Sequence, residues 1–80
     1  MLEELNTAKK LVGTRRVLRA IREGKAAKAF VADDVDLFIL REVRAACEET
    51  GTRLEKAENM KALGKACGVD VPTASAAILY

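Results

Sequence analysis

The sequence predicts a small α/β protein, a three-layer α/β/α sandwich around a small mixed sheet. Three observations carry that expectation. Short apolar runs of strand length alternate with amphipathic segments of helical period, a glycine follows each helical segment, and the connections are short. Eighty residues, half of them hydrophobic, make one domain spanning 1–80, with no internal repeat, low-complexity tract or linker. Aromatics are confined to Phe30, Phe38 and Tyr80, so the core must be built from Val, Leu, Ile and Ala.

Each element follows from local pattern. Leu2, Leu5, Ala8 and Val12 fall at helical spacing and predict an amphipathic helix over 2–12, ended by Gly13. Thr14 is the expected N-cap of a second helix that turns Val17, Ala20 and Ile21 inward and closes at a left-handed Gly24. Lys28–Ala32 is short and apolar, which fits a buried strand. Leu37–Thr50 has Leu40, Val43, Ala46 and Cys47 on one helical face and stops at Gly51. Thr52–Glu58 alternates around Leu54 as a second strand, and Met60–Cys67 repeats the helical pattern through Met60, Leu63, Ala66 and Cys67. After Gly68 and the loop Val69-Asp70-Val71-Pro72, Ser75–Tyr80 is a final apolar strand.

Several function classes are disfavoured. No stretch approaches the ~18 apolar residues of a membrane span. Residues 2–11 are interrupted by Glu3, Glu4, Lys9 and Lys10, unlike a secretory leader, so the expected location is the cytoplasm. Cys47 and Cys67 stand apart, and without histidine they make no zinc site; buried free thiols are expected rather than a disulfide or a reactive pair. Asp33, Asp34 and Asp36 could be read as a metal or catalytic cluster, but acids between a strand and a helix serve as caps and dipole partners, and that role is expected here. With no histidine and only isolated carboxylates, no acid–base pair for an enzyme is evident, and neither metal nor cofactor is expected.

Charge is uneven although the net value is only +2. Lys9 to Lys28 holds eight basic residues and one acid, whereas Asp33 to Glu58 holds eight acids and four bases. Such a basic pole speeds encounter with nucleic acid. Its centre is Gly13–Gly24, GTRRVLRAIREG, with Arg15, Arg16, Arg19 and Arg22 at the front of a helix. A helix N-terminus is positive and normally attracts acids, so each arginine in the first turn costs a few tenths of a kcal/mol. A docked phosphate reverses the sign, because backbone N–H groups and guanidinium groups converge on it. The alternative is a solvated polar face.

The second anomaly is the loop after Gly68. Val69 and Val71 flank Asp70 where surface loops are usually polar. They either cap the core or form an apolar platform for an unstacked base, a device of proteins that read splayed RNA. The expected fold brings this loop and the start of the 14–23 helix to one end of the sheet, with Lys61 and Lys65 extending the basic rim.

In these residues the chain resembles the ribosomal L-seven-Ae and L-thirty-e superfamily, especially its small bacterial members, over nearly its whole length. The resemblance is carried by Gly13-Thr14 with Arg19, by Arg22-Glu23-Gly24-Lys25-Ala26, and by Val31-Ala32-Asp33-Asp34-Val35-Asp36. Cys47-Glu48 and Leu63-Gly64-Lys65-Ala66-Cys67-Gly68-Val69-Asp70-Val71 complete it. It implies recognition of kink-turn RNA, a bent helix–bulge–helix with tandem sheared G·A pairs. By position, Gly13, Thr14, Arg15, Arg16 and Arg19 form the groove-facing element, Lys65 contacts phosphate, and Val69, Asp70 and Val71 meet bases flipped from the bulge. Archaeal and eukaryotic members typically have Asn-Glu where this chain has Arg15-Arg16. Arginine accepts no hydrogen bond, so these residues would donate to guanine O6 and N7 or to phosphates. The family's usual proline is also replaced, by Leu37.

The expectation is a non-enzymatic, monomeric RNA-binding protein, associated with the ribosome or another ribonucleoprotein, that stabilises kink-turn RNA. The alternative is a ribosome-associated protein-interaction module, docking through the acidic 37–50 helix, with only non-specific RNA affinity.

Overall fold

A computed structural model describes residues 2–6 and 9–80. A 3-10 turn at Leu2–Leu5 precedes β1 (Lys10–Val12), α1 (Thr14–Arg22), β2 (Ala26–Ala32), α2 (Leu37–Thr50), β3 (Arg53–Ala57), α3 (Met60–Ala66) and β4 (Ser75–Leu79). The four strands lie in the order β1-β4-β2-β3. β4 is antiparallel to both β1 and β2, and β3 is parallel to β2, so the sheet is mixed as expected.

Strand alternation divides the core in two. Ala29, Val31 and Ala77 face α1 and α2, where Val17, Ile21, Val43 and Cys47 cover them. Phe30, Ala32 and Ala76 face the opposite side, covered by Leu63 and Cys67 at α3 and by Leu5. These are the three expected layers. Ala29 pairs with Ala77 and Phe30 with Ala76, so small central-strand residues leave room for larger helix side chains. Both cysteines are buried free thiols, and burial pushes each thiol pKa up.

The first twelve residues correct the sequence expectation. No helix runs over 2–12: Leu5 is fully buried beneath the 3-10 turn, while Lys10, Leu11 and Val12 pair with Ile78, Ala77 and Ala76. Ala8, the third residue of the supposed helical stripe, lies outside the described residues. The helical spacing arose from two unrelated apolar contacts, Leu5 on one face of the sheet and an edge strand paired with a partner more than sixty residues away. Burying a leucine contributes about 1.5–3 kcal/mol, enough to outweigh the weak propensity of so short a segment. Lys28 fastens this turn to the sheet. Its Nζ lies 2.7 Å from Glu4 Oε1, 2.9 Å from Glu55 Oε1 and 5.2 Å from the centre of the Phe30 ring. The ammonium pulls the Glu4 carboxyl down to about 2 and Glu55 below its usual range, and the two carboxylates raise Lys28 in turn.

The remaining elements agree with the sequence to within one or two residues at their ends. The aspartates after β2 act as caps and ties. Asp36 Oδ1 accepts from Phe38 N at 2.7 Å, Asp34 Oδ1 accepts from Met60 N at 2.8 Å, and Asp33 pairs with Lys56 at 3.5 Å.

Candidate nucleic-acid interface

One end of the sheet gathers four chain segments into a rim. Gly13 N donates to Ser75 O at 3.1 Å, and Ala32 N donates to Ala74 O at 2.9 Å. Asp33 N donates to Ala57 O at 2.9 Å, and Thr73 N donates to Met60 O at 3.0 Å. The start of α1, the turn after β2, the start of α3 and the approach to β4 are thereby fixed relative to one another.

At this rim α1 begins without a side-chain cap. Gly13, not Thr14, is the N-cap, with φ at 110°, a backbone conformation that glycine tolerates and other residues do not. Its carbonyl accepts from Val17 N at 2.9 Å. The Thr14 hydroxyl lies one residue too far along the chain to cap, and instead meets buried Ser75 Oγ at 3.0 Å, tying the helix start to β4. The first-turn N–H groups are therefore left for an acceptor outside the helix.

Arg15, Arg16, Arg19 and Arg22 are all exposed. Arg15, Arg19 and Arg22 line a shallow groove with Thr14, Leu18 and Glu42 of α2. Arg16 and Arg19 line another on the opposite flank, beside Leu11 and Lys25. α1 is thus a basic ridge with an accessible groove on each side. Arg19 Nε also lies 3.2 Å from Glu23 Oε2, and Lys25 lies 3.1 Å from Glu23 Oε1. Lys25, with Arg19 in support, holds the Glu23 carboxyl below its usual range.

Across the rim, α3 ends in a left-handed Gly68 with φ at 77°. Gly68 N donates to Lys65 O at 3.0 Å and Val69 N to Gly64 O at 3.1 Å, a pair of bonds that turns the chain sharply back. The returning loop lies on Gly64, where an added Cβ would collide with the Val71 carbonyl oxygen. A groove of about 510 Å³ results, lined by Lys61, Lys65 and the 68–72 loop. Its two valines differ: Val69 is half-buried and packs on the core below, while Val71 is 63% exposed. Asp70 and Lys65 are exposed.

The predicted residues therefore fall into two groups that share the rim. Gly13, Thr14, Arg15 and Arg16 occupy the α1 side, and Val69, Asp70 and Val71 the α3 side with Lys65, while Arg19 lies a turn further down α1. Gly64 entered the sequence reading only within the resemblance motif and Ser75 only as the start of a strand, so the roles of both in shaping the rim were missed. Gly64 did leave a signal, because glycine inside a helix costs about 0.5–1 kcal/mol and calls for a packing reason. Among the described residues, no His, Cys, Asp or Glu side chains gather as a metal site, and no helix is long and apolar enough to cross a membrane.

Known proteins are similar to this chain over nearly its whole length. An "RNA-binding protein" of Geobacillus thermodenitrificans is 45% identical over 75 residues, covering 94% of this chain and 92% of that protein. "RNA-binding protein YbxF" of Geobacillus stearothermophilus is 43% identical over the same shares. The solved structure of a "Giardia lamblia 15.5kD RNA binding protein" superimposes with a TM-score of 0.88 at 30% identity, covering 99% of this chain and 68% of that one. The model of the ribosomal protein L7Ae/L30e/S12e/Gadd45 family matches residues 2–80. This chain belongs to that family.

Proposed function

We propose that this protein binds RNA and that its RNA is a kink-turn. The RNA-binding class rests on family membership and on relatives that carry that name across nearly their full length. One observation carries the finer reading: the uncapped, arginine-bearing start of α1 and the apolar groove beside Lys65 open on the same rim. A sharply bent RNA offers both of the matching ligands at once, with phosphates and widened groove on one side and extruded bases on the other.

In this reading Arg15 and Arg16 donate to the groove edge or backbone around the sheared pairs, assisted by the N–H groups that follow Gly13. Arg19 exchanges its exposed partner Glu23 for phosphate. Val71 supports an extruded base, Val69 stiffens the loop from below, Asp70 accepts a hydrogen bond from that base, and Lys65 holds the neighbouring phosphate. Binding energy then selects the bent RNA from its ensemble and offsets the cost of the kink. A monomer in a ribosomal or other ribonucleoprotein setting is sufficient for this role.

The test is a titration into end-labelled kink-turn RNA without magnesium, following the bend by energy transfer, beside a control with both sheared G·A pairs made Watson–Crick. Tight binding and bending of the first RNA alone is the expected result. Arg16→Ala and Arg19→Ala should each weaken it and reduce the log–log salt slope by roughly 0.7 to 0.9. Equal, salt-sensitive binding to both RNAs would reduce α1 to a general phosphate patch and sink the kink-turn reading.

A further inference from the structure

The large hydrophobic side chains exposed among the described residues are Leu37, Phe38, Val71 and Tyr80. Val71 belongs to the groove already described. Leu37 and Phe38, 57% and 68% exposed, do not, and they open α2 at the same rim. We infer that Phe38, with Leu37 beside it, is a second platform on which an unpaired nucleobase of the bound RNA stacks. The inference rests on the kink-turn reading and deepens it.

Position is the first argument. β2 runs toward the rim and α2 starts immediately beyond the turn that follows it, while α1 starts at the rim from β1; the two helices therefore begin side by side. Glu42 of α2 lines the groove that also holds Thr14 and Arg15. Phe38 precedes Glu42 by four residues, one helical turn, and so stands on the same stripe at the rim end of that groove. Its backbone is pinned, because Phe38 N donates to Asp36 Oδ1 at 2.7 Å. A residue whose backbone is already fixed has less conformational freedom to lose when a ligand covers it.

Chemistry is the second. The other phenylalanine, Phe30, is fully buried, so the fold has a use for such a ring inside and leaves this one out. Leaving a phenylalanine exposed forgoes the stabilisation of its burial, and a stacked base restores part of it. Charge decides which part of a nucleotide sits there. Asp33, Asp34 and Asp36 precede the ring along the chain, and their charge repels phosphate but not a base edge, which carries amino donors. Arg15, across the groove, suits the phosphate of the same nucleotide. The base therefore lies toward Phe38 and the backbone toward α1. With Val71 on the other side of the rim, an RNA strand crossing the end of the sheet has two apolar rests.

Incorporating 4-fluorophenylalanine yields two fluorine signals, with buried Phe30 as an internal reference for Phe38. On binding the kink-turn RNA, the Phe38 signal should shift and the Phe30 signal stay. Phe38→Ala should weaken binding roughly tenfold, the equivalent of one stacked base, while Phe38→Tyr retains it. One abasic substitution at an unpaired position should reproduce that loss in the wild type and add nothing to Phe38→Ala. Wild-type affinity for Phe38→Ala with an unmoved Phe38 signal, while Arg16→Ala still weakens binding, overturns the platform and leaves the kink-turn reading standing. If the wild type binds the Watson–Crick control equally, the kink-turn reading fails. The platform is then judged on that complex: an unmoved Phe38 signal overturns it, and a shift lost with an abasic substitution supports it. A Phe38 shift that depends on protein concentration without RNA means a second copy covers the ring, which also overturns it.

Discussion

Three helices leave the same end of the sheet, and one of them begins unlike the other two. α2 completes its first turn internally, with the Asp36 carboxylate on Phe38 N; α3 does the same through Asn59 Oδ1 on Ala62 N at 2.7 Å. α1 has no side-chain cap, and it puts Arg15 and Arg16 where a helix normally carries acids. Completed helix starts serve the fold. The incomplete one gives up stability in the free protein and, in the proposed reading, leaves room for an anion, so stability and affinity should move in opposite directions at the start of α1 and not at α3.

The sharpest way to break this comparison is Arg15→Glu with Arg16→Glu, which gives α1 the first turn that the helix dipole favours. Thermal stability of the free protein should rise by about 0.3–1 kcal/mol per residue. RNA affinity in the same titration should fall by more than roughly 100-fold, since two contacts to charged groups are each worth about 1.5–3 kcal/mol. A rise in stability without loss of affinity would remove α1 from the interface. Gly64→Ala tests the opposite side of the rim. The loop must lift from α3, at a cost of about 1–3 kcal/mol in the thermal melt, and RNA affinity should fall as Val71 moves. Asn59→Ala should lower stability by about 1 kcal/mol while weakening RNA binding far less than Arg16→Ala does. An equal loss of affinity would mean that α3's cap, too, faces the ligand.

The smallest effect lies at the far end of α1. The folded pKa of Glu23 is below its ordinary 4.5, so its ion pairs contribute stability above pH 4.5, and that contribution is lost as pH falls through the folded value. Melts of wild type and Glu23→Gln should differ slightly at pH 7 and converge at strongly acid pH. Because Glu23→Gln also releases Arg19, it should strengthen RNA binding modestly at low salt.

What the sequence made legible was whatever is settled locally. α2 could be read because Asp36, the apolar stripe and Gly51 mark its start, face and end within sixteen residues. The Gly68 turn and the basic front of α1 were legible for the same reason. Residues 2–12 were misread because β1 exists only through pairing with β4, and no local pattern distinguishes an edge strand of three residues from part of a helix. The Thr14 cap failed likewise: the hydroxyl's partner, Ser75, is sixty-one residues away. Phe38 was overlooked because it lies next to residues that do have a core-facing pattern, and only the packed helix shows which way it turns.

The strand order also has a consequence for synthesis. β4 lies between β1 and β2, yet it is made after both of them and after β3. From the end of β2 to the end of β4 the ribosome must add residues 33 to 79, a wait of about 2–10 s at typical elongation rates. Throughout that interval β1 has no partner, Ser75 cannot meet Thr14, and the rim does not exist. In the proposed reading, a nascent copy is thus unable to engage RNA through both sides of the rim until β4 slots into the sheet.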